Sequence, residues 1–365
     1  MIPFWRKEHQ EKEAFVLKNG GILLEQLITT FDGKRNPIRN FSSEELKLAT
    51  NNYDIMNVRM DDGFYFTLYK GFLPDRQISI MVFNSKSQQA YDYCINNIVF
   101  ASQMCHKHIL KLIGCCLETE VPILVFESLV KYGTLWNHIH SHHEPQFETL
   151  SWRQRLKIAM EISHTFAYLH VGFPRPIVYS WMGLSRFLLD EYLVPKLFDF
   201  SFAQCIPEGE THIKYAQSRG YVGYTAPELG RGVLNEKCDV YGFGKLLLEI
   251  LTGQRKMSET EDETETMDED RKFFARVDDN WLLDFETGEK NWLCEFVKKI
   301  NGENGIIVVV DPTIIGDGLC PETRQQIQVF LELVVIKCLS HSAGDRPSMI
   351  DVAKQLRQLY LSASS

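Results

Sequence analysis

The side chains with the greatest capacity for chemistry gather in a few short stretches. His138, His140, His142 and His143 are near enough in sequence for several imidazoles to share a metal ion. Ser141, Glu144 and Pro145 lie among and beside them, however, and the stretch reads as a solvated loop. Cys115 and Cys116 are adjacent, but no second cysteine pair stands at zinc-finger spacing. Two neighbouring thiols cannot close a tetrahedral site alone, so a buried structural role is expected. Of the twelve residues Glu259 to Asp270, eight are acidic and the only apolar one is Met267. Such a segment cannot bury itself and reads as a solvated insertion, with docking of a basic partner as the alternative.

The elements around these residues follow from their periodicity. An apolar stripe from Ile22 to Leu27 predicts a short helix. Ser42 with Glu45 has capping-box spacing and opens a second helix through Leu46 and Ala49, ending at Asn51-Asn52. Between Val58 and Phe83 aromatic and β-branched residues with a turn at Leu73-Pro74-Asp75 predict antiparallel strands. Leu156, Ala159, Ile162, Phe166 and Leu169 recur at helical spacing within Leu150 to His170 and predict a long buried helix. Short β-prone runs follow at Ile177 to Val178, Phe187 to Leu189 and Lys196 to Phe198. Helical patterns return at Asp239 to Leu251 and Gln325 to Leu339, and the border between the sheet-rich and helical parts falls near Phe126 to Gly133.

Composition limits the function classes. At 365 residues and 44% hydrophobic content the chain can bury one large core or two moderate ones. A formal charge of -9 excludes generic binding to a nucleic-acid backbone. The nine cysteines, an odd number without repeated spacing, fit a reducing compartment. No apolar run approaches the ~18 residues of a membrane span. Arg6, Lys7 and Glu8 directly after the apolar start argue against a secretory leader, and Ile2 stands where a myristoylation signal requires glycine. The expectation is a soluble, cytoplasmic protein.

Further landmarks occur in order. They are Tyr69-Lys70-Gly71, Leu112-Ile113-Gly114-Cys115-Cys116, Leu124-Val125-Phe126-Glu127, Asp199-Phe200-Ser201, Ala226-Pro227-Glu228, Asp239-Val240-Tyr241-Gly242-Phe243-Gly244 and Asp345-Arg346-Pro347. In order and spacing this succession resembles the eukaryotic protein kinases, in particular the plant receptor-like cytoplasmic kinases. The resemblance implies an α+β, bilobal protein-kinase-like fold: a small antiparallel β-sheet N-lobe with one main helix, and a larger, mainly helical C-lobe. It divides the chain into lead helices over residues 1–54, an N-lobe over 55–128 and a C-lobe over 129–361 with an acidic insertion at 255–275.

Against that family's chemistry the sequence is deficient. A travelling phosphoryl group is stabilised by positioned cations and dipoles, and the resemblance shows where these should stand. At the three glycine positions of the phosphate-covering loop stand Asp61, Gly63 and Phe66. The strand lysine aligns with Met81 and its helix-borne glutamate partner with Asn97; the nearest lysine, Lys86, is on the far side of a turn. In the catalytic loop Trp181 replaces the aspartate base, Gly183 a phosphate-neutralising lysine and Arg186 a metal-binding asparagine. Ser180 replaces the arginine that pairs with a phosphorylated activation segment. Asp199 alone is retained. If each missing group cost about a thousandfold, near 4 kcal/mol, even strongly non-additive losses would leave turnover close to background. No catalytic residue, cofactor or metal is therefore expected. Arg186 is expected to form a salt bridge with Asp199, filling the vacant metal position. Glu228 and Arg346 match the family's buried ion pair, and Asp239 matches the residue that braces the catalytic loop; all three are expected to serve the fold.

A narrower resemblance rests on Phe41-Ser42, Ala49-Thr50-Asn51-Asn52-Tyr53-Asp54, Gly114-Cys115-Cys116-Leu117-Glu118, Tyr168-Leu169-His170 with Phe173-Pro174, Asp199-Phe200-Ser201-Phe202, Pro207-Glu208-Gly209 and Asp311-Pro312. Together they are similar to the ZED-related (ZRK) pseudokinases, adaptors of plant innate immunity. The acidic insertion departs from that group. The resemblance implies a partner, a coiled-coil NLR immune receptor bound through its leucine-rich-repeat domain. It also implies sensing of a pathogen effector directly, or of an effector-modified receptor-like cytoplasmic kinase, with recruitment to the plasma membrane through the partner. The activation segment, with Thr211, Tyr215, Ser218 and Arg219, is the candidate sensing surface, and the N-lobe with the lead helices the candidate receptor contact. A slow or atypical Ser/Thr kinase, and a scaffold that binds nucleotide without catalysis, remain as alternatives.

Overall fold

The computed structural model describes residues 4–33, 36–61, 65–128, 132–141, 147–214, 224–253, 310–316 and 318–363. The acidic insertion, Gly63, Tyr215, Ser218 and Arg219 lie outside them. Contacts divide the chain into two compact units, Met1–Gly133 with Arg186–Ala203, and Thr134–Ser185 with Gln204–Ser365.

The first unit is built on a six-stranded sheet. Its strands are β1 (Arg39–Asn40), β2 (Val58–Asp61), β3 (Phe66–Phe72), β4 (Gln77–Phe83), β5 (Leu112–Cys116) and β6 (Ile123–Glu127), in the order β1-β5-β6-β4-β3-β2. The antiparallel β2, β3 and β4 account for the strands expected over Val58 to Phe83. Strand β1 was not expected; it pairs parallel with β5 and sets Arg39 opposite Gly114. Only glycine fits at 114, because a Cβ there would overlap the Arg39 carbonyl oxygen and the Phe41 ring.

The lead segment is part of this unit. Helix α1 (Phe4–Phe31) extends well beyond the short helix expected at Ile22 to Leu27. Its first half lacks an apolar stripe but is supported by side-chain pairs one turn apart, the ion pair of Lys12 with Glu8 at 3.4 Å and the contact of His9 Nε2 with Glu13 at 3.3 Å. Leu23 and Leu27 are buried, and the fully buried Asn19 donates from Nδ2 to the carbonyl oxygens of Leu117 and Thr119, each at 2.9 Å. Helix α2 (Ser43–Ala49) is capped by Ser42, whose hydroxyl accepts from Glu45 N at 3.1 Å. The Glu45 carboxylate turns to Arg39 instead of back to the cap, so half of the expected capping box forms. After α2, Asn51, Asn52 and Tyr53 have φ of 52, 59 and 57°, a left-handed turn that asparagine tolerates better than tyrosine. Thr50 Oγ1 satisfies it by accepting from Tyr53 N at 3.0 Å. Phe41, Leu46, Ile78, Ile80, Cys116 and Val125 form the core beneath. Helix α3 (Gln88–Ala101), capped by Ser87, and the strands Phe187–Leu189 and Pro195–Leu197 complete the described elements of this unit.

The second unit is mainly helical. Helices α4 (Leu135–His140), α5 (Trp152–Val171), α6 (Pro227–Gly230) and α7 (Glu236–Thr252) precede three more, Pro312–Ile315, Pro321–Leu331 and Met349–Ser362, with a π-helical stretch at Glu332–Cys338. The apolar stripe expected in α5 is fully buried, and Ser151 with Gln154 forms a reciprocal capping box at its start. Two expectations for reactive side chains resolve differently. Cys115 and Cys116 are buried, as expected, and burial pushes their thiols up to about 12 and about 11, which keeps them protonated. His138 and His140 are not in a solvated loop. Thr134 and Asn137 form a capping box that starts α4, and the helix turns His138 inward to 1% exposure. Burial also holds its imidazole below the usual value. His140 Nε2 meets the Glu249 carboxylate at 2.7 Å. His142 and His143 lie outside the described residues.

Candidate functional site

In the first unit, β4 places Met81 in register with Leu68 of β3 and Leu124 of β6, fully buried. Helix α3 places Asn97 against it, with Nδ2 3.8 Å from the Met81 sulfur. The two positions that align with the lysine and glutamate therefore face each other, joined by a weak contact in place of an ion pair. Lys86 does not substitute: it is 79% exposed and pairs with Glu120 at 3.3 Å.

The retained carboxylate, Asp199, is 3% exposed and closed in by its neighbours. Its Oδ1 accepts from Asn97 Nδ2 at 2.9 Å, Ser201 N at 3.0 Å and Ser201 Oγ at 2.6 Å. Its Oδ2 accepts from Arg186 Nη1 at 3.1 Å, the salt bridge the sequence predicts. Three of these four donors share Oδ1 and one meets Oδ2, so each carboxylate oxygen is already engaged by the protein's own side chains and backbone. Phe66, fully buried, presents its ring edge-on to Phe198 at 5.8 Å and lies 5.9 Å from the Arg186 guanidinium carbon. An aromatic ring beside a buried guanidinium stabilises the cation in this position. Asp61 lies exposed at the end of β2, with Oδ1 3.4 Å from Thr67 Oγ1.

These residues do not suit a metal ion. Magnesium is held by carboxylate oxygens, and a guanidinium bonded directly to the carboxylate competes with it for them. Asp199 already has four donors, and Arg186 stands where a neutral ligand would be needed. Among the described residues no group of three or more His, Cys, Asp or Glu side chains is arranged to hold a metal.

In the second unit the loop after Ile177–Val178 carries Trp181, half-buried, and Gly183, buried. Indole has only an N–H donor and no acceptor for a proton, so Trp181 cannot act as a base. Asp239 braces this loop: its Oδ2 accepts from Tyr179 N at 2.9 Å, its Oδ1 from Ser180 N at 2.8 Å, and His170 Nε2 lies 2.9 Å from Oδ2. Ser180 is held with φ of 59°. Arg346, fully buried at its side chain, donates from Nη1 and Nη2 to the two carboxylate oxygens of Glu228 at 2.6 and 2.9 Å. Thr211 is exposed, with its hydroxyl 3.2 Å from His212 Nδ1.

Two participants were not singled out from sequence. Ser201 supplies half of the donors to Asp199. Asn96 Nδ2 points at the carbonyl oxygens of Phe200, Ser201 and Ala203, at 2.9, 3.1 and 3.0 Å. The available signal was two consecutive amides inside the apolar run Cys94-Ile95 to Ile98-Val99-Phe100.

Sheet, helices and the braced loop define a protein-kinase fold in which Asp199 is engaged by the protein's own side chains. Residues 57–277 match the protein tyrosine and serine/threonine kinase family. Over 359 residues the chain is 34% identical to the "Non-functional pseudokinase ZED1" of Arabidopsis thaliana, covering 96% of this chain and 98% of that protein. It is also 34% identical to the "Inactive serine/threonine-protein kinase ZRK12" of the same plant, covering 98% of this chain and 82% of the relative. A more distant likeness is to the Arabidopsis "Wall-associated receptor kinase-like 1", 32% identical over 97% of this chain but only 44% of that longer protein. The chain belongs to the protein kinase family and, within it, to the ZED-related pseudokinases.

Proposed function

We propose that this protein is a catalytically inactive adaptor of plant innate immunity. It binds a coiled-coil NLR receptor through the receptor's leucine-rich repeats, and it senses pathogen effectors directly or through an effector-modified receptor-like cytoplasmic kinase. The observation that carries the non-catalytic part is the engagement of both Asp199 carboxylate oxygens by Arg186, Asn97 and Ser201. With no carboxylate oxygen free and neither a strand lysine nor a base, Mg-ATP has no seat and a substrate hydroxyl has no proton acceptor. The adaptor part is supported by the relationship to the ZED-related group and by the surface of the lead segment. Leu17, Leu24 and Ile28 are exposed along one stripe of α1, and Leu48, Ile55 and Met56 are each at least 80% exposed just beyond. Unpaired apolar side chains at this density suit a protein partner. Among the described residues no helix is long and apolar enough to cross a membrane, so a cytoplasmic adaptor that reaches the plasma membrane through its partner is the location proposed.

The test has two arms. The purified chain is titrated with ATP, with and without magnesium, while its melting temperature is followed, and it is assayed for transfer of labelled phosphate to protein substrates. No shift at millimolar nucleotide and no transfer are expected, because a ligand that stabilises only the folded state must raise the melting temperature. Transfer at ordinary kinase rates would overturn the reading. Co-purification with the leucine-rich repeats of an NLR supports the adaptor assignment. Its loss on changing Leu17, Leu24 and Ile28 to serine would place the contact on α1.

A further inference from the structure

In an active member of this fold the main N-lobe helix is held by an ion pair to the strand lysine, and the retained aspartate is held by metal. This chain has neither device, yet α3 is firmly attached to the segment that begins at Asp199. Tyr93, Asn96 and Asn97 lie along one face of α3. Tyr93 packs on Phe202 with ring centroids 4.5 Å apart. Asn96 Nδ2 addresses three carbonyl groups of the segment, those of Phe200, Ser201 and Ala203. Asn97 both donates to Asp199 Oδ1 and accepts from Phe200 N at 3.2 Å, so its amide closes a two-point clasp on consecutive residues. The lead segment grips α3 from another direction: from α1, Phe31 meets Phe100 edge-on at 5.5 Å and the Lys18 ammonium lies 4.9 Å from the Tyr91 ring centroid, and beyond α1 Asn36 Nδ2 donates to the carbonyl of Ser102, the residue that caps α3, at 2.9 Å.

We propose that Asn96 and Asn97 form an amide latch that replaces the ion pair and the metal, fixing α3 to the Asp199–Ala203 segment so that the segment, α3 and the lead helix α1 open and close together. The asparagines suit this role in a way the family's charged residues do not. A neutral amide donates and accepts at once, so it satisfies a carbonyl, a carboxylate and a backbone N–H without adding a buried charge. The latch is independent of nucleotide, and it operates within one compact unit. If the adaptor reading above holds, the latch gives that adaptor a route between the start of its sensing segment and its lead helix. The latch is measured on the isolated chain, however, so its failure leaves the adaptor reading standing, and failure to bind a receptor leaves the latch standing.

The experiment is hydrogen exchange on the full chain without partners. Asn96→Ala and Asn97→Ala are each expected to speed exchange on the order of tenfold, not only over residues 199–203 but also in α3 and in the C-terminal half of α1. Gln88→Ala, at the exposed start of α3, should leave all three regions unchanged. The reciprocal variant Phe31→Ala, which removes the ring packed on Phe100, should speed exchange over residues 199–203 through α3, because coupling acts in both directions. Faster exchange confined to residues 199–203 in the asparagine variants, or a Phe31→Ala effect confined to α1, would overturn the proposal. Should an asparagine variant fail to fold, Phe31→Ala still decides between these outcomes.

Discussion

Arg186 Nη1 lies 3.1 Å from Asp199 Oδ2, with both side chains 3% exposed. A guanidinium thus sits beside the carboxylate that the family resemblance aligns with the metal-binding aspartate, a tethered cation in the place expected for a mobile one. The difference matters energetically. A metal is exchanged with its nucleotide, whereas Arg186 is always present and always charged. The bridge therefore gives a buried carboxylate the charge partner without which it would destabilise the fold.

Removing one partner should expose that dependence. Arg186→Ala leaves Asp199 as an uncompensated buried anion and is expected to cost about 3–5 kcal/mol. The double variant Arg186→Met with Asp199→Leu should be less destabilised than Arg186→Ala, because it removes both charges. Equilibrium urea unfolding of both proteins measures the pair. A loss below ~1 kcal/mol in Arg186→Ala would show the bridge to be energetically idle.

Gly114 should be among the least replaceable positions of the first unit. In Gly114→Ala the new methyl overlaps the Arg39 carbonyl and the Phe41 ring, so the short parallel pairing of β1 with β5 cannot form. Overpacking of this kind typically costs 1–3 kcal/mol. Limited proteolysis should show cleavage after the lead helices at protease levels that leave the unmodified protein intact. Unchanged cleavage would mean that β1 does not anchor the lead segment.

Much of this arrangement was visible in the sequence, for a definable reason. Met81, Asn97, Arg186 and Asp199 stand at fixed offsets from strongly patterned strands and motifs, so their identities could be compared position by position. The meeting of Arg186 and Asp199 follows from opposite charges at two positions of one site. Other features depend on contacts between distant segments and leave little local trace. Strand β1 has two residues, too few for alternation to show. The first half of α1 is charged on all sides and has no apolar period. His138 and His140 are surrounded by polar residues in sequence but are turned inward by a cap at Thr134. The partners of Asn96 are more than a hundred residues away, and nothing near it specifies them.

Arg346 is held by more than charge. Its guanidinium donates to both oxygens of Glu228 and to the carbonyls of Ser340, Lys237 and His341 at 2.8, 2.9 and 3.2 Å. An ammonium cannot reproduce that fork, so Arg346→Lys should be nearly as harmful as Arg346→Ala, each losing about 3–5 kcal/mol in urea unfolding. If Arg346→Lys were within ~0.5 kcal/mol of the unmodified protein, charge alone would suffice and the geometry would be incidental.

The stability of the second unit should depend on pH through Asp311. Burial works against ionisation of this carboxyl, but the Arg155 guanidinium at 2.6 Å and the Thr313 N–H and hydroxyl at 2.8 Å outweigh it and hold Asp311 below the ordinary carboxylate value. A carboxyl with a depressed folded-state pKa binds fewer protons folded than unfolded. Its contribution is therefore complete above the unfolded value near ~3.9 and is lost as pH falls through the lower folded value. Asp311→Asn keeps the shape and removes the ionisation. The stability difference between the unmodified protein and Asp311→Asn is expected to be constant from pH 7 to about 5 and to shrink steadily below about 4. Urea midpoints of the two proteins at pH 7, 5, 4 and 3, read at a common slope, give that difference directly. A difference that stayed flat or widened on acidification would mean that Asp311 is not held ionised by Arg155 and Thr313.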